Sequence, residues 1–373
     1  MSKSSNKPKK KIKVGLGLRS NKNTGLLEKN FYREDVKENT KEQELEKTKK
    51  NEPMLLLLSA PSINNKYYKK HHQEIVNFQI NYIHKVVENG TDEIRILVNQ
   101  NTRKCYQGKI DDSLIIDFEM YDIWMRDFTT VNPENPVQFV YSSASMSKKD
   151  SKKTQRIFDQ FVQEYQIKRK KSNYILDGGN IVYNYSGKLV TTTRFLKDNN
   201  LQFEEAKEIL KALFQADQVA IIEPDDGALA HADGMVAWIE NDVLLVNNYS
   251  KLDREFHKRV LQELQDSFTD ITIITVPVIF DETIVDNKKK ICSAYGINLN
   301  LVSTYTTLYV PIYGEEYEEE VLQIIRNSTH KNVITINSKL ISLLGGSVRC
   351  LTWQLSLSNS TNILNSIKTK TKK

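Results

Sequence analysis

The chain has 373 residues, 39% of them hydrophobic and 9% aromatic, and carries a formal net charge of +6. It is long enough for one large domain or two ordinary ones, and without an apolar run of about 18 residues it has no candidate membrane-spanning helix. The 3 cysteines (Cys105, Cys292 and Cys350) show no CxxC spacing, which excludes a disulfide framework or a zinc site as the organising feature.

The charge is uneven. Residues 1–53 hold 15 Lys/Arg against 8 Asp/Glu, a net of +7, so the rest of the chain sums to −1. With almost no aromatics this stretch cannot offset chain entropy by burial, and it is expected to be a disordered Lys-rich extension. Nucleic acid is not an expected partner except through the run Lys9–Lys13, for which a solubilising role is the expectation. Met54-Leu55-Leu56-Leu57-Leu58 is too short and too far from the start for a signal peptide, and no Arg-rich transit pattern precedes it. The protein is expected to be soluble and cytoplasmic, with a catalytic domain over residues 54–360 and a short basic C-terminal tail over 361–373.

In chain order, Met54–Ser59 reads as a buried strand. Tyr67–Glu88 places Ile75, Phe78, Tyr82, Ile83 and Val86 at helical spacing, and Asn89-Gly90 closes that helix. Ile94–Val98 is a second strand, and from Leu114 strand-like sequence runs on to Phe128. From there a polar head followed by an apolar strand recurs. Asp177-Gly178-Gly179-Asn180 leads into Ile181–Tyr183, a turn at Ser186-Gly187, and Leu189–Thr193. His231-Ala232-Asp233-Gly234 leads into Met235–Ile239 and back along Val243–Val246. Asn298-Leu299-Asn300 leads into Leu301-Val302 and Leu308–Val310, and Gly345–Cys350 leads into Leu351–Trp353. Amphipathic helices are expected at Leu201–Phe214, Lys251–Gln265 and Glu315–Arg326, with strands at Val219–Ile222, Ile271–Val276 and Val333–Ile336. The fold class is therefore α/β. The units recur every 50–60 residues or so, longer than common solenoid repeats, so closure around an axis is expected rather than an open stack.

Such closure would gather the polar heads, with Asp127, Asp177, His231, Asp233, Asn300 and Cys350, at the centre. Strand packing calls for none of these. In an extended strand, residues two apart face the same way, so His231 and Asp233 can share one cleft. A thiol is a useful nucleophile only as thiolate, and histidine is suited to donate and recover a proton near neutral pH. Two carboxylates in one pocket need a cation between them, and a guanidinium fits through its forked donors. The set suggests attack by sulfur on a guanidinium carbon.

Trp124-Met125-Arg126-Asp127, Asp177-Gly178-Gly179-Asn180, His231-Ala232-Asp233-Gly234-Met235, Asn300 ahead of Pro311, and Gly345-Gly346-Ser347-Val348-Arg349-Cys350-Leu351-Thr352-Trp353-Gln354 resemble the agmatine deiminase and bacterial-type (Porphyromonas-type) peptidylarginine deiminase family. The resemblance covers about residues 54–357. It implies a five-bladed α/β-propeller of the guanidine-modifying (pentein) superfamily, built from ββαβ-type units, with no metal and no organic cofactor. It further implies Cys350 as nucleophile, His231 as proton donor and then base, and Asp127 and Asp233 as the guanidinium clamp. Trp124 would pack on the substrate, and Asn300 and Asn180 would bind near the reacting centre. Asp225 and Asp226 are candidates for a distal amine. Asp177 is expected to brace the Gly-Gly turn rather than touch substrate. His71, His72, His84, His257 and His330 belong to no constellation, and Cys105 and Cys292 are given no role.

Two departures bear on the substrate. The peptidylarginine branch grips the substrate carboxylate with a pair of arginines after the Trp-x-x-Asp segment, whereas Tyr141–Lys153 offers only Lys148, Lys149, Lys152 and Lys153. The agmatine branch carries a Trp-rich segment and Gly-His-Val-Asp, both absent here. Arg349 stands where a histidine often precedes the cysteine, and in a strand it would face away from the pocket. The favoured substrate is agmatine, giving N-carbamoylputrescine and ammonia on the route to putrescine. The alternative is free or peptide-bound arginine giving citrulline. A reading of another class is a catalytically silent propeller used as a binding module, its Lys-rich tail engaging an acidic partner. A homodimer is a candidate assembly.

Overall fold

The computed structural model describes residues 52–63, 65–143, 146–225, 230–279, 284–286 and 291–370. The Lys-rich extension lies outside them as far as Asn51, as does Asp226.

Strand β1 (Met54–Ser59) is buried over its whole length. Alternate side chains of a strand point to opposite faces. Here Leu56 and Leu58 enter one apolar cluster while Leu55 and Leu57 enter another, so an unbroken leucine run marks a sheet covered on both sides. The helix His72–Asn89 turns Ile75, Val76, Phe78, Tyr82, Ile83 and Val86 inward and ends at Gly90, whose φ of 69° allows its N–H to reach the Val86 carbonyl. The chain returns as β2 (Glu93–Val98), parallel to β1, and β3 (Ile115–Asp117) pairs parallel beyond it.

The same crossover recurs along the chain. β4 (Val137–Val140) passes through the helix Lys148–Glu164 to parallel β5 (Lys170–Ile175). β6 (Val182–Tyr183) and β7 (Lys188–Thr192) form a hairpin, and helices Arg194–Asn199 and Phe203–Phe214 carry the chain to β8 (Gln218–Ile222), parallel to β7. β9 (Val236–Trp238), β10 (Val243–Asn247), the helix Arg254–Ser267 and β11 (Thr272–Val276) repeat that plan. After a two-stranded pair, β12 (Ile284–Asp286) and β13 (Ile291–Cys292), it appears again as β14 (Val302–Ser303), β15 (Thr307–Ile312), the helix Glu318–Asn327 and β16 (Asn332–Asn337). The last strand, β17 (Trp353–Ser356), lies antiparallel to β1 with Trp353 opposite Leu57. The first sheet is thus completed by the end of the chain. Among the described residues no helix is long and apolar enough to cross a membrane.

Trp353 is fully buried at this seam, donates Nε1–H to Thr130 Oγ1 at 3.0 Å and meets Phe158 edge-on with ring centres 5.1 Å apart. Trp353→Ala is expected to cost about 3–5 kcal/mol of folding stability, read as a lower urea midpoint at unchanged slope. A midpoint within error of wild type would mean that the seam does not hold the sheet together.

Two segments differ from the sequence reading. Lys148–Glu164, for which the sequence reading gave no element, is a helix whose buried face begins with Ser151 and Thr154 before Phe158, Phe161 and Val162. The boundary drawn at residue 360 falls inside the helix Leu357–Lys370, where Ser360 and Ile363 are fully buried. In both, polar residues occupy positions where periodicity looks for apolar ones.

Candidate active site

The polar heads are helical turns rather than strand ends. Asp127 lies on the one-turn helix Met125–Phe128, which Trp124 precedes. Asp177 precedes the turn Gly178–Asn180, His231 precedes Ala232–Gly234, and Cys350 lies on Val348–Leu351. Side chains of neighbouring heads take up the backbone donors that a strand ladder would otherwise use. Gly179 N–H donates to Asp127 Oδ1 at 3.1 Å, Ala232 N–H to Asn180 Oδ1 at 3.1 Å, and Cys350 N–H to Asn300 Oδ1 at 3.3 Å. His231 and Asp233 therefore share a neighbourhood through a turn, not through strand alternation.

Two glycines measure how close these groups come. A Cβ on Gly179 would lie 2.7 Å from His231 Nδ1, 2.8 Å from Asp127 Oδ1 and 3.2 Å from Asp233 Oδ2. One on Gly346 would lie 2.6 Å from the Trp124 ring and 3.0 Å from Cys350 Cβ. A cavity of about 120 Å³ is lined by Trp124, Asp127, Asp177 and Cys350, and also by a second group that includes Tyr68, Tyr121, Asp122, Tyr141 and Asp150. Among the described residues no lysine or arginine lines it.

Electrostatics follow from burial and crowding. Burial pushes the Asp127 carboxyl up to about 7; the His231 charge opposes the rise, while Asp177 and Asp233 add to it. Burial alone would discharge His231, but Asp127, Asp177 and Asp233 outweigh it and hold the imidazole above its ordinary value. The Cys350 thiol is held well above the usual thiol range, by burial first and then by the charges of Asp233 and Asp127; hydrogen bonds from the Ser347 backbone and Asn300 oppose this. The thiol is accordingly protonated in the absence of a cation. It donates to Asn300 Oδ1, 3.4 Å away.

Residues 46–355 match the family described as Porphyromonas-type peptidyl-arginine deiminase. The chain belongs to this deiminase family. No curated protein matches it by sequence. Among solved structures it is similar to the agmatine deiminase of C. jejuni, with a TM-score of 0.69 at 17% identity over 83% of this chain and 94% of that one. It is also similar to the agmatine deiminase of Enterococcus faecalis, with a TM-score of 0.65 at 15% identity over 82% of this chain and 94% of that one. These likenesses show the fold, an α/β fold shared with those two enzymes.

Within this deiminase-family chain, the residues singled out from sequence fall into three groups. Trp124, Asp127 and Cys350 line the cavity, with His231 against Asp127 (Nδ1 to Oδ1, 3.8 Å). Asp233 stands beside the cavity rather than on its wall, its Oδ2 taken by Arg349 Nη1 at 2.7 Å. Arg349 also donates Nη2–H to the Ile181 carbonyl at 2.6 Å. Arg349 does not line the cavity, but it lies on a helical turn rather than the expected strand. Asn300 and Asn180 serve the backbone. Asn300 Oδ1 accepts from the Arg349 and Cys350 N–H groups, and Asn180 Oδ1 from Thr192 and Ala232. Asn180 and Asp225 do not line the cavity, and Asp225 accepts from the Tyr249 hydroxyl at 3.1 Å.

Asp177 is what the sequence reading undervalued. It is 3% exposed and lines the cavity, and its Oδ2 is held by Arg194 Nη2 at 2.9 Å. Its Oδ1 is buried with no hydrogen-bond partner among the described residues. A buried carboxylate oxygen left so needs a donor that the described residues do not supply. The signal was present in its place at the head of a Gly-Gly turn, equivalent to Asp127 and His231 in theirs.

Proposed function

We propose that this chain is a guanidine C–N hydrolase whose five helix-crossed units close as a five-bladed propeller, with agmatine as substrate. The closure is supported by five of the six parallel strand pairs among the described residues, those joined through a helix longer than one turn, and by β17 returning to β1. One observation carries the chemistry: Cys350, Asp127 and Asp177 line a single cavity with Trp124 on its wall, and Asp177 Oδ1 has no partner among the described residues.

The guanidinium donates its forked N–H groups to Asp127 and Asp177, with its flat face against Trp124. Its charge offsets the carboxylates that keep Cys350 protonated, so the thiolate becomes accessible only with substrate in place. His231 takes the thiol proton as sulfur attacks the guanidinium carbon. His231 protonates the departing nitrogen, and ammonia leaves a thiouronium on Cys350. His231 then takes a proton from water, which adds to the same carbon. The C–S bond breaks, sulfur recovers a proton, and the ureido product leaves.

Agmatine is favoured over arginine by the second group of cavity residues. Asp122 accepts from the Tyr68 hydroxyl and Asp150 from the Tyr121 hydroxyl at 2.9 Å, and both line the cavity. A primary ammonium suits them, whereas an α-carboxylate would meet like charge. One observation favours the arginine alternative: Lys153 Nζ stands 4.1 Å from the centre of the Tyr121 ring and could meet a carboxylate. Ureido-product formation from agmatine, arginine and an arginyl peptide decides between them. The expected kcat/KM for agmatine is at least about 100-fold the others, and Asp150→Asn is expected to raise the agmatine KM about tenfold at little-changed kcat. Equal or better turnover of arginine removes the agmatine assignment. No turnover of any guanidine removes the hydrolase and leaves the silent propeller.

A further inference from the structure

Arg194 opens the helix Arg194–Asn199 with its side chain 16% exposed, and among the described residues its guanidinium reaches His231, Asp177 and Asp198. Nη1 lies 2.8 Å from His231 Nε2, Nη2 donates to Asp177 Oδ2 at 2.9 Å, and Nε donates to Asp198 Oδ2 at 3.1 Å. His231 Nε2 is itself 3.4 Å from Asp177 Oδ2, and Nδ1 is 3.8 Å from Asp127 Oδ1. Arginine can only donate hydrogen bonds. The contact with His231 therefore requires a lone pair on Nε2, which puts the ring in its neutral form with the proton on Nδ1, towards Asp127. An imidazolium would set two N–H groups against each other at that distance. Protonated His231 has instead a nearby acceptor in Asp177 Oδ2, and Arg194 keeps both Asp177 and Asp198 when it releases the ring.

We infer that Arg194 is a positioning residue that decides where His231 carries its proton: it holds the ring neutral with Nε2 as acceptor, and Asp177 takes over Nε2 once the ring is charged. The inference rests on the proposed role of His231 as proton carrier. It also accounts for a difficulty in the site. The charged groups facing His231 are Asp127 on the Met125–Phe128 turn, Asp177 ahead of Gly178, Asp233 on its own turn and paired with Arg349, and Arg194 paired with Asp198. The carboxylates together favour a permanently charged ring, which could donate a proton but not accept one. A guanidinium on Nε2 opposes them and leaves the ring able to do both.

The test reads the ring directly. Nitrogen-15 histidine spectra of the full chain, with the His231 signal assigned by its loss in His231→Gln, give its tautomer and titration. Wild type is expected to show the Nδ1–H tautomer. In Arg194→Gln the His231 midpoint is expected to move up by about one pH unit or more, and the acid limb of kcat/KM moves up with it, because a neutral ring is then reached only at higher pH. Arg194→Lys, which keeps the charge without the fork, is expected to restore the midpoint in part. An unchanged His231 midpoint and tautomer in a folded Arg194→Gln chain overturns the inference, as does an Nε2–H tautomer in wild type. If the spectra shift as expected but wild type turns over no guanidine, Arg194 controls the ring and the hydrolase reading is what fails.

Discussion

Cys350→Ala is expected to lower ammonia release from agmatine by more than about 10⁴-fold, since no other group can form the covalent intermediate once the nucleophile is gone. The loss should be in chemistry and not in folding. Cys350 is 6% exposed on a one-turn helix that is also tied down by Asn300 and by the Arg349–Asp233 pair. Those ties do not use the sulfur, so thermal unfolding of the variant should stay close to wild type. Removing the thiol also removes a group that Asp233 and Asp127 hold in its protonated form; agmatine should therefore still bind, detectable by calorimetry, while no ureido product forms. Undiminished turnover would take the sulfur out of the mechanism.

The elements legible in the sequence are those in which local pattern and burial agree. β1 and the helix after it show this, because unbroken leucines and a helical apolar stripe face real cores on both sides of one sheet. The site was legible as a set of residues, since carboxylates, an imidazole and a thiol at the heads of successive strands have no packing reason to be there. Its inner wiring was not. Asp177 fits turn chemistry before Gly-Gly, and only a partner 17 positions on, Arg194, turns it inward. Arg349 was placed on a strand, and the segment proved to be a helical turn that pairs it with Asp233 beside the cavity. Asp122 and Asp150 come to the same cavity from segments that sequence spacing does not connect.

Gly179→Ala should be the most damaging single added methyl group, lowering kcat/KM by about 10²- to 10³-fold at near-normal thermal stability. The added methyl would lie 2.7 Å from His231 Nδ1, 2.8 Å from Asp127 Oδ1 and 3.2 Å from Asp233 Oδ2. None of these can withdraw freely. His231 is held by Arg194, Asp233 by Arg349, and Asp127 by the N–H of Gly179 itself. The strain is therefore relieved by shifting the groups that must meet the substrate, and a displacement near 1 Å at a reacting centre costs about 100-fold in rate. Its neighbours separate this from an effect on folding. A Cβ on Gly178 would come within 2.1 Å of the Arg126 carbonyl, so Gly178→Ala should lower the melting temperature. A Cβ on Gly234, one residue past Asp233, has nothing within 4 Å, so Gly234→Ala should leave both activity and stability near wild type. Wild-type kcat/KM in Gly179→Ala would mean that the placement of His231 and Asp127 does not limit the reaction.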